Sequence, residues 1–142
     1  EAALARAARR GPNITFHASL EPVPILGDAS TLERAITNLL DNAVKFSPSD
    51  GEIWVELTSA GVLTIVDSGP GIADEDLPHI FDRFYRSDRA RNTPGTGLGL
   101  AIVTHTVEAH GGSVRAGNQP GAGAKFTMRL PVLTIPESPL SP

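Results

Sequence analysis

Asn38-Leu39-Leu40-Asp41-Asn42-Ala43-Val44-Lys45-Phe46 reads as one helix with two chemically different faces. At about 100° per residue, Leu32, Ala35, Ile36, Leu39, Ala43 and Phe46 gather into an apolar stripe. Asn38, Asn42 and Lys45 fall in an adjacent arc of roughly 60°, with Arg34 just beyond them. Side chains of this kind along the edge of a core face each need a polar partner. A purely structural helix would carry Leu, Ala or a solvated Glu there. A metal ion and an anion satisfy the whole group together. Mg2+ takes oxygen ligands, an Asn carbonyl supplies one without adding charge, and Lys gives the countercharge for a phosphate.

The flanking residues set the limits of this helix. Ser30-Thr31-Leu32-Glu33 has the form of a capping box, which predicts a start at Ser30. Ser47-Pro48 stops it near Phe46, so the polar arc lies in its last half. Upstream, Asn13 to Ser19 alternates as a half-buried strand, and Val23 to Leu26, broken by Pro22 and Pro24, allows only a short edge strand. Downstream, Glu52 to Ser59 and Val62 to Val66 alternate about Ala60-Gly61 as a hairpin. Ala73 to Ile80 is expected as a short helix. Phe81 to Pro94 has no period, and a segment of that length inside a domain points to a functional loop or lid. Leu100 to His110 is an apolar helix closed by Gly111-Gly112, followed by strands over Ser113 to Gly117 and Ala124 to Leu130. This order predicts an α+β fold, a two-layer sandwich whose mixed sheet is covered on one face by helices.

Composition narrows the function classes. The chain has 142 residues and a net charge of −4, enough for one domain with a core and too acidic for a nucleic-acid binder. Arg6, Arg9 and Arg10 form a basic cluster that a solvated helix end explains. With no cysteine there is neither a disulfide nor a Cys-ligated metal site, as expected of a cytoplasmic protein. No apolar run approaches the ~20 residues of a membrane span. The chain begins mid-pattern without Met, as a fragment of a longer protein would. Residues 1–12 are expected to be a linker, 13–131 the domain, and 132–142 a disordered Pro-rich tail.

Two further stretches carry chemistry. Asp67-Ser68-Gly69-Pro70-Gly71 leaves a strand with an acid and two glycines. Either it is a plain turn, or the carboxylate accepts a hydrogen bond from an exocyclic amine while Gly69 and Gly71 let a flat base approach the backbone. Gly95-Thr96-Gly97-Leu98-Gly99 lacks the Gly-Lys-Ser/Thr of a P-loop and the third glycine of a Rossmann fingerprint. What remains is a glycine-rich helix start, whose free amides attract phosphate. His17, His79, His105 and His110 have no catalytic or metal spacing and read as structural or surface residues. The helix dipole would favour the charged form of His110.

Taken in order, Asn42 with Lys45, the Asp67 to Gly71 run, Phe81 to Phe84, and Gly95 to Gly99 resemble the N, G1, F and G2 boxes of the sensor histidine kinase catalytic domain. The wider family is the ATPase/kinase superfamily with the Bergerat ATP-binding fold, and the resemblance covers roughly Asn13 to Pro131. It implies that Asn42 coordinates Mg2+, with Asn38 as a possible second contact. It makes Lys45 the phosphate-contacting lysine, places Phe46 beside the adenine, and makes Asp67 the acid that reads the adenine amine. Gly69, Gly71 and Ile72 would line the base. Gly95, Thr96, Gly97, Leu98, Gly99 and Leu100 would border the phosphates. Phe84 and Arg86 would belong to the ATP lid, which starts at Phe81.

Hydrolytic members of the superfamily resemble one another in placing a Glu one helical turn before the Mg-binding Asn, where it activates water. Here that residue is Asn38, which cannot act as a base at neutral pH. The resemblance therefore implies a domain that holds ATP for transfer, with Mg2+ as cofactor. The phosphoacceptor His of such kinases, followed by an acid and then a Pro, is absent: His17 precedes Ala18 and His79 precedes Ile80. Implied partners are a His-bearing dimerisation domain of the same protein and a cognate response regulator, with this domain cytoplasmic, monomeric by itself, and part of a membrane sensor. The alternatives are a serine kinase of the anti-sigma-factor type and a non-catalytic nucleotide-binding module.

Overall fold

The structure, a computed structural model, describes residues 2–82 and 99–133. A five-stranded sheet has the order β1-β2-β3-β5-β4, with β1 (Thr15–Leu20), β2 (Glu52–Leu57), β3 (Val62–Asp67), β4 (Ser113–Asn118) and β5 (Ala124–Arg129). Only β1 and β2 run parallel, and the other pairings are antiparallel. The parallel pair requires a crossover, which is made by helix α2 (Ala29–Phe46). Along β2, β3 and β5 every second side chain is buried: Ile53 and Val55, Leu63 and Ile65, Phe126 and Met128. Helices α1 (Ala2–Arg10), α2 and α3 (Gly99–Ala109) form the second layer. The α+β sandwich read from the sequence is the fold observed.

Helix α2 is buried on more than the stripe its periodicity defines. Ala35, Leu39 and Ala43 are buried as expected, but so is Leu40, because α2 packs against α1 and α3 as well as β3. Residues 1–12, read as a linker, contain α1, whose Ala3 and Ala7 enter the core. Arg10 reaches the half-buried Asp41 at 3.1 Å and Arg6 reaches Glu33 at 3.6 Å; both arginines are exposed, and pairs of this kind add little to the apolar burial.

Local expectations differ from the structure at three places. The N-cap of α2 is Asp28: its carboxylate accepts from the Ser30 and Thr31 backbone N–H groups and from the Ser30 hydroxyl, which holds its pKa below the ordinary carboxylate value. Glu33, released from a capping box, pairs with Arg6. Val23 to Leu26 forms no strand, although the preceding Glu21 N–H still donates to Leu57 O. Ala73 to Ile80 is a chain of turns, because Pro78 has no N–H to extend a helical ladder. His110 joins helices α2 and α3. Its Nδ1 lies 2.7 Å from Thr106 O, which can only accept, and its Nε2 accepts the Asp28 N–H at 3.2 Å. That bond ties the end of α3 to the start of α2.

The close of α3 follows the sequence reading. Gly111 takes φ +79°, its N–H bonds Glu108 O, and the Gly112 N–H reaches back to Val107 O.

Candidate functional site

Asp67 ends β3 on the inward face, with a relative exposure of 2%. Its Oδ1 accepts two backbone hydrogen bonds, from Gly69 N–H at 2.9 Å and Ala124 N–H at 3.0 Å. Burial pushes the carboxyl above its ordinary value of 3.8, and the two donors oppose that shift. With Oδ1 occupied, Oδ2 makes no hydrogen bond among the described residues. A carboxylate oxygen left open at the end of a strand is suited to one incoming donor.

The two glycines after Asp67 answer first to the protein's own packing. A Cβ on Gly69 would lie 2.3 Å from the Phe46 carbonyl, so this loop seats directly against the end of α2. Gly71 has φ +82°, and a Cβ there would lie 2.6 Å from Asn118 Oδ1. Asn118 in turn clamps the next residue, accepting from Ile72 N–H at 2.7 Å and donating to Ile72 O at 2.9 Å.

Two contacts bring the sequence boxes together along α2. Midway, Asn38 Nδ2 makes a long hydrogen bond of 3.4 Å to Gly99 O at the start of α3. At its end, Phe46 O meets the Gly69 loop. Asn42 and Lys45 lie between these contacts. Asn42 is half-buried and its amide makes no hydrogen bond among the described residues. Lys45 is exposed, with Nζ 5.4 Å from the Phe46 ring centroid. Gly99 opens α3 with nothing within 4 Å of a would-be Cβ, and Leu100 beside it packs partly on the core. Phe81 meets core residue Phe126 edge-on at 6.1 Å, anchoring the chain where the expected lid begins. Phe84, Arg86, Gly95, Thr96, Gly97 and Leu98 lie outside the described residues.

Two other histidines pair with acids. His17 stacks on Trp54 and contacts Glu52 at 3.2 Å on the outer sheet face, and His79 contacts Asp82 at 3.1 Å. No group of three or more His, Cys, Asp or Glu able to hold a metal occurs among the described residues.

A protein-family model described as "Histidine kinase-, DNA gyrase B-, and HSP90-like ATPase" matches residues 27–134. The chain belongs to this ATPase family. Within it, the similarity runs to sensor histidine kinases. The signal transduction histidine-protein kinase/phosphatase MprB of Mycolicibacterium smegmatis is 44% identical over 94% of the chain. The chain spans 29% of that relative's length. A solved structure of a mycobacterial sensor histidine kinase MprB superposes with a TM-score of 0.86 at 39% identity, covering 94% of this chain and 93% of that one. The ATP-binding domain of PrrB from Mycobacterium tuberculosis gives 0.66 at 30% identity, covering 94% and 90%. Full-length ShkA, solved in complex with AMPPNP, gives 0.74 at 32% identity, covering 94% of this chain and 30% of that one. These likenesses favour the ATP-binding domain of a sensor histidine kinase over the serine-kinase and non-catalytic alternatives.

Sequence reasoning missed three residues that hold Asp67 and its loop: Asn118, Gly123 and Ala124. Gly123 has to be glycine here because a Cβ would lie 2.2 Å from Asp67 Oδ1. The Asn-Gln-Pro-Gly-Ala-Gly run from Asn118 to Gly123 showed only as a turn, and turn chemistry alone does not reveal what a turn touches.

Proposed function

We propose that this domain binds Mg-ATP and presents the γ-phosphoryl group to a histidine on a separate dimerisation domain of the same protein. From there the group passes to an aspartate of a cognate response regulator. The observation that carries the reading is Asp67. Its carboxylate is fixed through Oδ1 by two backbone donors, and its Oδ2 is left to accept from the exocyclic amine of adenine. The carboxylate thus selects a base that offers a donor at that point.

With the base against the Gly69 loop and Phe46, the phosphates run along α2 toward the start of α3. Lys45 is exposed and long enough to meet them, and it supplies positive charge. The donor set fits Mg2+, which binds through one or two protein oxygens together with phosphates and water. Asn42 offers such an oxygen, with Asn38 one turn away. When bound, the ion neutralises charge on the phosphates as the γ-group leaves. Asn38 has no capacity to deprotonate water, so the site favours transfer over hydrolysis. Gly95, Thr96, Gly97, Leu98, Phe84 and Arg86 complete the phosphate side and lid in this reading. No helix of the described residues is long and apolar enough to cross a membrane, as suits the cytoplasmic catalytic end of a membrane sensor. Residues 1–12 would continue from the dimerisation domain.

The direct test mixes the domain with the separately produced dimerisation domain and ATP labelled at the γ-position. Label should appear on histidine, and Asn42→Ala should abolish the transfer. Binding of ATP with release of free phosphate and no labelled histidine would reject the transfer reading.

A further inference from the structure

The turn between β4 and β5 grips both ends of the loop that carries the adenine-reading acid. At the near end, Gly123 N–H donates to Asp67 O at 2.9 Å and Ala124 N–H to Asp67 Oδ1 at 3.0 Å. At the far end, the Asn118 side-chain amide holds both backbone groups of Ile72, at 2.7 and 2.9 Å. The turn is itself closed by Gln119 N–H to Gly123 O at 2.8 Å and Ala122 N–H to Gln119 O at 3.0 Å. Between the two grips lies Gly69, whose N–H is the other donor to Asp67 Oδ1.

An amide that satisfies a backbone N–H and C=O together imitates a β-ladder partner for a segment outside the sheet. Gly71 makes this possible. Its φ of +82° turns the loop, and its missing side chain admits Asn118 Oδ1, which a Cβ would meet at 2.6 Å. The requirement for glycine at position 71 is thus set by Asn118 as much as by any ligand.

We propose that Asn118 is a positioning residue for base recognition, acting through Ile72 and Gly69 to hold Asp67 in the orientation that receives the adenine amine. The inference rests on the reading of Asp67 as the adenine acceptor. Releasing Ile72 loosens the loop at one end, and the Gly69 N–H then no longer fixes Oδ1. The carboxylate remains held only from the β5 side, by Ala124 N–H. Asn118 is itself exposed, so its loss leaves the core intact.

The test measures dissociation constants for ATP and for purine riboside triphosphate, which lacks the exocyclic amine. Wild type, Asn118→Ala and Asn118→Asp are compared, with amide exchange at Ile72 as a second readout. Wild type should prefer ATP. Asn118→Ala should lose about 2- to 10-fold in ATP affinity, on the order of one uncharged hydrogen bond, and bind the amine-free analogue nearly as before. Ile72 exchange should quicken in the same variant. Asn118→Asp keeps the acceptor for Ile72 N–H and loses the donor to Ile72 O, so it should fall between the two. An equal loss for both nucleotides would mean a general structural role and overturn the proposal, as would unchanged selectivity with faster exchange. A wild type indifferent to the amine would overturn the Asp67 reading and this inference with it.

Discussion

Substituting Asp67 by Asn separates what the buried carboxylate does for binding from what it does for stability. The amide keeps an oxygen for the Gly69 and Ala124 N–H groups but turns an NH2 toward the adenine amine, donor against donor. Losing a charge-assisted hydrogen bond is worth ~1.5–3 kcal/mol, so ATP affinity should fall roughly 10- to 150-fold by calorimetry. Stability should move the other way. Burial raises the Asp67 pKa in the folded state, so this group favours folding below its unfolded value of 3.8, and that contribution is lost as pH rises through the folded value. At neutral pH the wild type carries the cost of an ionised buried acid and Asp67→Asn does not. Its Tm should equal or exceed wild type at neutral pH, with the difference shrinking as pH falls toward the acid range. A variant that melts lower at neutral pH and binds ATP unchanged would make Asp67 a structural residue. Asp67 could be singled out from sequence because its run stands in order with the other three boxes; by itself it reads equally as a plain turn. Asn118 could not, because its whole role is a backbone contact 46 residues away.

The contact between the end of α2 and the Gly69 loop joins the proposed metal-side and base-side parts of the site. A methyl at Gly69 would meet Phe46 O at 2.3 Å, and neither partner can swing aside as a side chain would. Gly69→Ala should therefore push the loop from the helix and destabilise the domain by about 1–3 kcal/mol, the usual cost of overpacking. ATP affinity should fall with it, and a thermal melt alongside a titration checks both. Wild-type stability and affinity in Gly69→Ala would show that the two elements are not coupled. The extent of α2 and its polar arc were legible because amphipathic periodicity and Ser47-Pro48 agreed. Its start was misplaced at Ser30 because Asp28 competes for the same N–H groups with a charged acceptor. Over Ala73 to Ile80 the expected helix gives way to turns, because Pro78 lacks the N–H that would extend one.

Across the molecule, the five strands of the sheet were legible and their order was not. Alternation marks each strand, but nothing in it says that β5 lies between β3 and β4. That placement sets the site, because it brings the start of β5 and its turn against Asp67. The boxes Asn42 and Lys45, Asp67 to Gly71, and the Gly99 helix start converge because α2 crosses from β1 to β2 while touching both other segments. The chain spans 29% of the length of its M. smegmatis relative, and the task proposed for it is holding the nucleotide. That central claim is tested most directly by titrating the domain with ATP, with and without Mg2+, against GTP as control. Saturable binding that strengthens with Mg2+ and discriminates against guanine, whose ring presents a carbonyl where adenine has its amine, is the predicted result. Equal affinity for the two bases, or no binding at all, would contradict it.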